Sequence, residues 1–144
     1  MKIEYAYPLT IARDEAGFYL AIFPDVPEAG TDDDTAAGAL AEALDSLIAA
    51  LGGYINAWRE IPKPSPVTPG QQAVTLPSLV TAKVALYQGM RESGLTCAEL
   101  GYRLGVGEAA VWRLLDLDHQ SPVRQLEVAL KLLGRRLVVT VEAA

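Results

Sequence analysis

The sequence predicts an α+β protein: a small antiparallel sheet with one long helix, then an all-helical part built on a helix-turn-helix and closed by a strand. Three observations lead there. Across residues 2–12, Ile3, Tyr5, Tyr7, Leu9 and Ile11 fall at alternate positions, the period of a half-buried strand. Leu40, Leu44, Leu47, Ile48, Leu51, Ile55 and Trp58 recur at the spacing of one helical face. Residues 96–115 carry the caps, small residues and apolar pegs that two short crossing helices require.

The first strand is followed by the turn Asp14-Glu15-Ala16-Gly17 and by a more fully apolar strand over residues 18–23, which together make a hairpin. Pro24 and Pro27 end the second strand, because proline donates nothing to a sheet ladder. Asp32-Asp33-Asp34-Thr35 then places oxygens where the free N–H groups of a helix start need acceptors. The long helix is expected to pack across the hairpin. Residues 59–71 hold Pro62, Pro64, Pro66 and Pro69 with little apolar bulk, the composition of an extended connector. A short strand is expected over residues 74–76. The domain boundaries follow: residues 1–60, a proline-rich linker over 61–76, and a second domain over 77–144.

In the second domain a helix starts after Pro77, with Ser78 as its cap and Leu79, Ala82, Leu86 and Met90 inside, and ends at Gly94. Thr96 and Glu99 form a capping box. Gly101 is the small residue where two steeply crossed helices touch, and Gly105 suits the tight turn between them. Leu100, Val106, Val111 and Leu114 are the expected pegs. This constellation points to operator DNA, with the second helix of the pair in the major groove. Its outward residues are Glu108, Ala109, Trp112 and Arg113. Arg113 suits a guanine edge or a phosphate, and Glu108 suits a cytosine amine. Trp112 is open to three roles: stacking on a sugar, touching a thymine methyl, or packing within the protein. Arg103, Arg124 and Lys83 are the candidates for phosphate contacts. With so few cations, affinity calls for two copies on two half-sites.

Ser121-Pro122 opens a last helix, with Leu126, Leu130 and Leu133 inward and Gly134 at its end. His119, in the preceding turn, reads as structural. Leu137, Val138, Val139 and Val141 form a β-rich end, and a lone strand is unstable in water. Pairing with its own copy would make a homodimer.

The 144-residue chain has a net charge of −6, unevenly spread. Residues 1–70 hold 4 Lys/Arg against 11 Asp/Glu, whereas residues 71–144 hold 8 against 7. An acidic part joined to a near-neutral part suggests two partners. The single cysteine, Cys97, excludes an intrachain disulfide and a cysteine-based metal site, and it reads as a small buried residue on a helix. No metal or cofactor is expected. The absence of a long apolar run and of a leader points to a cytoplasmic protein.

The order of these pieces resembles the HicB antitoxins with a C-terminal helix-turn-helix. The resemblance spans essentially the whole chain. It is carried by the hairpin, by Phe23-Pro24-Asp25-Val26-Pro27-Glu28-Ala29, by Ala39-Leu40-Ala41-Glu42-Ala43-Leu44, by Ile61-Pro62-Lys63-Pro64-Ser65 and by Leu114-Leu115-Asp116-Leu117-Asp118-His119. Pro27-Glu28 stands where many relatives carry Pro-Gly. The resemblance implies a partial ribonuclease-H-like fold for the first domain, which would bind and block a small basic mRNA-cleaving toxin of the HicA type. The second domain would repress the shared operon. Asp25, Glu28, Asp32, Asp33 and Asp34 are the candidates for facing the toxin, by spacing and charge; the alternative for them is helix capping and solubility.

Two other readings compete with this one. Ribonuclease-H chemistry needs carboxylates converging on two metal ions from several elements, and here only Glu4 is central while the aspartates crowd into one loop, which argues against an enzyme. The rival is a helix-turn-helix repressor whose first domain senses a small molecule through Tyr5, Tyr7, Tyr19 and Trp58.

Overall fold

The computed structural model describes residues 2–144. It is α+β, with a four-stranded antiparallel sheet and five α-helices, and it divides after Leu76 into two compact units.

In the first unit the hairpin is formed by β1 (Ala6–Arg13) and β2 (Tyr19–Ile22), in the register Thr10↔Ile22 to Arg13↔Tyr19. Two further strands flank it. β3 (Thr31–Asp33) pairs with β2, and β4 (Gln72–Thr75) pairs with β1, which gives the order β3-β2-β1-β4. The helix α1 (Ala36–Asn56) packs on one face, over Tyr7, Leu9 and Ala21. Thr35 caps it, its hydroxyl accepting from Gly38 N at 2.9 Å.

The buried stripe of α1 is Ala39, Ala43, Leu47, Leu51, Tyr54 and Ile55. The expected stripe is therefore rotated at its start: Leu40 is exposed, and Leu44 and Ile48 are only half-buried. Alanine at 39 and 43 lets the helix backbone come close to the sheet, where leucine would hold it off. By length and mean hydropathy (21 residues, 1.3) α1 also qualifies as a membrane span, which no apolar run was expected to do. Glu42 and Asp45 on its outer face and the sheet on its inner face make it the core helix of this unit. It ends in a Schellman turn, Trp58 N to Ile55 O and Arg59 N to Tyr54 O, with Trp58 at φ +55° in the place glycine usually takes.

The proline-rich segment is an integral part of this unit. Ile61 is buried. Tyr7 Oη donates to the Pro62 carbonyl at 2.7 Å, and Ser65 donates from N and Oγ to the two Asp25 carboxylate oxygens at 2.7 and 2.6 Å. Gln71 Nε2 donates to Thr10 Oγ1 at 3.2 Å before β4 begins. Prolines here set an extended path, as expected, but one anchored to this unit, where a linker between domains was expected.

The second unit holds α2 (Ser78–Ser93), α3 (Cys97–Leu104), α4 (Glu108–Leu115) and α5 (Val123–Leu132). Its core is Leu86, Tyr87, Met90, Leu100, Val111, Leu115, Leu126 and Leu130. Pro77 and Pro122 precede α2 and α5 without a side-chain cap, so Ser78 lies inside its helix and Ser121 is occupied elsewhere. Val106 is exposed, which corrects its reading as a peg. Residues 135–144 have no regular secondary structure, so the expected final strand is absent from the single chain. Among the described residues, no strand pairs with this segment.

Cys97 is buried on α3, and burial together with the nearby Glu108 charge pushes its thiol up to about 11. The native protein is therefore expected to leave a thiol reagent such as 5,5′-dithiobis(2-nitrobenzoate) unconsumed at pH 8. Unfolding should then release one reactive thiol per chain. Rapid labelling of native protein would contradict this placement.

Candidate functional sites

The first candidate site is the acidic segment between β2 and α1. Asp25 is engaged through both oxygens by Ser65. Glu28 Oε2 accepts from Tyr54 Oη at 2.6 Å, and the Arg59 guanidinium lies 4.3 Å from the Tyr54 ring centre. That hydrogen bond and partial burial raise the Tyr54 phenol above its ordinary value. Asp33 Oδ1 accepts from Thr35 N at 3.0 Å and from Thr35 Oγ1 at 3.2 Å, the first of which holds the Asp33 carboxyl below the usual carboxylate range. Asp25, Glu28 and Asp33 thus shape the loop and the helix start.

Asp32 and Asp34 point their charge outward, both exposed. Asp32 lies on β3, an outer strand of the sheet, beside a shallow open groove lined by Leu20, Ile22, Gly30 and Thr31. Thr31 Oγ1 donates to Glu42 Oε2 at 3.2 Å, which ties this strand to α1. Ile22, Phe18 and Leu40 are exposed apolar side chains of the same unit. β3 escaped the sequence reading because Thr-Asp-Asp has little strand propensity and also looks like a helix start.

The second candidate site is the α3–α4 pair. Thr96 Oγ1 accepts from Glu99 N at 3.1 Å and so opens α3. Gly105 closes it at φ +73°, with Val106 N donating to Gly101 O at 2.9 Å. α3 meets the turn leading into α4 at Gly101, where a Cβ would stand 2.8 Å from the Val106 carbonyl oxygen. Glu108, Ala109, Trp112 and Arg113 are all on the outer side of α4, with Trp112 38% exposed. Arg103 and Arg124 are exposed as well.

Lys83 is not. It is 0% exposed, and its Nζ donates to the carbonyls of Arg113 and Leu114 and to Ser121 Oγ. A fully enclosed ammonium cannot reach a phosphate, so Lys83 leaves the set of DNA-contact candidates. Tyr102, which was not singled out, is 89% exposed beside Arg103. Helical spacing from Cys97, Leu100, Gly101 and Leu104 puts it on the outer side of α3, a signal that was there to be read. His119 Nδ1 lies 3.0 Å from Ser121 Oγ, in keeping with a structural role. Beyond Gly134, Val138, Val139 and Val141 are exposed, Val141 at 90%. Among the described residues, no three His, Cys, Asp or Glu side chains gather where a metal ion could sit.

A family model described as a HicB-like antitoxin of a bacterial toxin-antitoxin system matches residues 6–85. The chain belongs to this family. It is 38% identical over 136 residues to Antitoxin HicB 1 of Photorhabdus laumondii, covering 94% of this chain and 86% of that protein. It is 37% identical over 144 residues to Antitoxin HicB of Pseudomonas fluorescens, 99% of this chain and 98% of that one. To Antitoxin HicB of Escherichia coli K12 it is 34% identical over 131 residues, 91% and 95% of the two chains. Membership supports an antitoxin role and implies a toxin as partner. The family model covers the first unit from residue 6 and the first half of α2, whereas the likeness to the full-length relatives runs on through α3, α4 and α5.

Proposed function

We propose that the chain is a cytoplasmic antitoxin whose first unit binds and blocks a small basic HicA-type mRNA-cleaving toxin and whose second unit represses the operon encoding both. The observation that carries this reading is the likeness to HicB antitoxins along more than nine-tenths of the chain. Charge supports it. The first half carries the excess acid, and Asp32 and Asp34 stand exposed at one side of the sheet, where they can steer and hold a basic partner. Asp25, Glu28 and Asp33 hold the loop in shape behind them.

In the second unit, α3 and α4 act as a helix-turn-helix. The α4 face of Glu108, Ala109, Trp112 and Arg113 reads bases, and Arg103 and Arg124 contact phosphates. Two copies, joined through Leu137, Val138, Val139 and Val141, supply two half-sites. The chain acts by binding and not by catalysis. The small-molecule sensor has no observation in its favour: Tyr5 and Tyr7 are core residues, and the Tyr7 hydroxyl is held by Pro62.

The test is calorimetric titration of the chain with the product of the adjacent small reading frame, carrying an inactivating substitution. Wild type is expected to bind tightly. Charge reversal at both Asp32→Lys and Asp34→Lys is expected to weaken binding at least about tenfold at low salt, and less at high salt, as a screened surface attraction does. No binding by wild type would overturn the antitoxin reading. Equal binding by the double variant would move the toxin to another face.

A further inference from the structure

α4 ends without a capping motif of its own. After Leu115 the backbone runs into Asp116 in an extended conformation (φ −73°, ψ 111°), with no glycine to turn the last carbonyls onto following N–H groups. The ammonium of Lys83, from the middle of α2, fills that role. Its Nζ donates to Arg113 O at 2.9 Å, to Leu114 O at 3.3 Å and to Ser121 Oγ at 2.7 Å, so three donors meet three acceptors. Ser121 Oγ lies in turn 3.2 Å from Arg113 O, which closes a ring of polar contacts around the end of the helix. A positive charge also suits the negative end of the α4 dipole.

Stability alone is a poor reason for this arrangement. Enclosing an ammonium carries a desolvation cost, and a well-packed apolar side chain of similar volume often serves a core as well or better. Burial lowers the readiness of Lys83 to hold its proton, and only the Asp116 charge works the other way. What three directed hydrogen bonds provide, and apolar packing does not, is a fixed orientation. One of the anchored carbonyls belongs to Arg113, whose side chain leaves the outer face of the same helix.

We propose that Lys83 is a positioning residue for DNA reading: by holding the last turn of α4 and the Ser121 turn from α2, it sets the direction in which Arg113 meets the base edges. This rests on α4 being the recognition helix.

The experiment compares full-length wild type, Lys83→Met and Ser121→Ala on the promoter fragment preceding the protein's own gene. The competing duplexes are single base-pair variants of the protected site and a scrambled sequence, all at one salt concentration, with thermal unfolding followed alongside. Methionine keeps the length of the side chain and removes its three donors. Lys83→Met is expected to keep its affinity for scrambled duplex while its affinity for the promoter falls about tenfold, the size of one misplaced bidentate base contact. Discrimination between intact and substituted sites shrinks by the same factor. Ser121→Ala, which removes one of the three acceptors together with the contacts of Ser121 Oγ to Arg113 O and His119 Nδ1, is expected to lose discrimination by at least about threefold, the size of one hydrogen bond.

Unchanged discrimination in Lys83→Met, or a parallel fall in specific and scrambled binding, would overturn the inference. Should Lys83→Met fail to fold, Ser121→Ala decides, and discrimination equal to wild type overturns it. A wild-type protein that does not discriminate at all would overturn the recognition-helix reading and this inference with it. Wild-type discrimination with unaltered variants overturns the inference alone.

Discussion

Removing residues 137–144 is expected to turn a dimer into a monomer and to weaken promoter binding by about 10²- to 10⁴-fold, the advantage two linked sites have over one. The removed segment is the most exposed apolar stretch of the chain, with Val138, Val139 and Val141 all open to solvent. Leu137, Val139 and Val141 alternate with Val138 and Thr140, so the segment has the pattern of a strand and lacks only a ladder partner. On the proposed reading, a second copy of the same segment would supply one under two-fold symmetry. The truncation should retain Arg135, because that side chain packs over Gly89 and pairs with Glu92, and its loss would disturb the α2 surface for an unrelated reason. Sedimentation and a mobility-shift titration read the two effects together. A truncated protein that stays dimeric and binds the promoter as wild type does would place the dimer contact elsewhere.

The second large effect is expected from Gly101→Val. A Cβ at this position would lie 2.8 Å from the Val106 carbonyl oxygen and 3.3 Å from that of Gly107, and both obstacles are backbone atoms that cannot rotate away. Valine adds two methyl groups at the same point, so α3 and the turn that leads into α4 must move apart. Overpacking of this kind costs about 1–3 kcal/mol. That is a large share of the few kcal/mol that stabilise a domain of this size. Promoter binding should be lost while toxin binding is kept, because the sheet and α1 form a core of their own before Leu76. Gly52→Ala is the control: it lies within α1, a Cβ there meets nothing within 4 Å, and alanine gains about 0.5–1 kcal/mol over glycine in a helix. Circular dichroism melts and the two binding assays check both variants. Loss of toxin binding in Gly101→Val would show that the units do not fold independently.

Much of this architecture was legible from residue patterns, and the departures have identifiable causes. The hairpin and the helices α2 to α5 were visible from their period and from the prolines and glycines at their ends, although Ser78 and Ser121 do not cap α2 and α5. Thr96 and Gly105 bound α3 as their chemistry requires. α1 was found but its face was rotated, because large side chains mark a hydrophobic stripe more strongly than Ala39 and Ala43, which are the residues that touch the sheet most closely. β3 was hidden by carboxylates that suit a helix start. The proline-rich segment resembled a linker in composition, and its anchoring depends on partners 40 to 61 residues away, at Asp25, Tyr7 and Thr10.

The candidate sites show the same division. Outward positions on α4 follow from helical period, so Glu108, Ala109, Trp112 and Arg113 came out together. Lys83 was misread because a lone lysine on a helix is normally solvated, and nothing in its neighbours announces three oxygens from residues 30 to 38 positions away. The aspartates read as one acidic surface. Their hydrogen bonds separate them into Asp25 and Asp33, which hold the chain in shape, and Asp32, which stands at the sheet's outer strand.

The central claim is that this chain neutralises a toxin encoded beside it. The most direct measurement is growth of cells expressing the adjacent small reading frame alone, with the full-length chain, and with the Asp32→Lys, Asp34→Lys double variant. The account predicts arrest by the small protein alone, full rescue by the wild-type chain and weakened rescue by the double variant. Arrest that the wild-type chain does not relieve, or a neighbouring product that is harmless by itself, would contradict it.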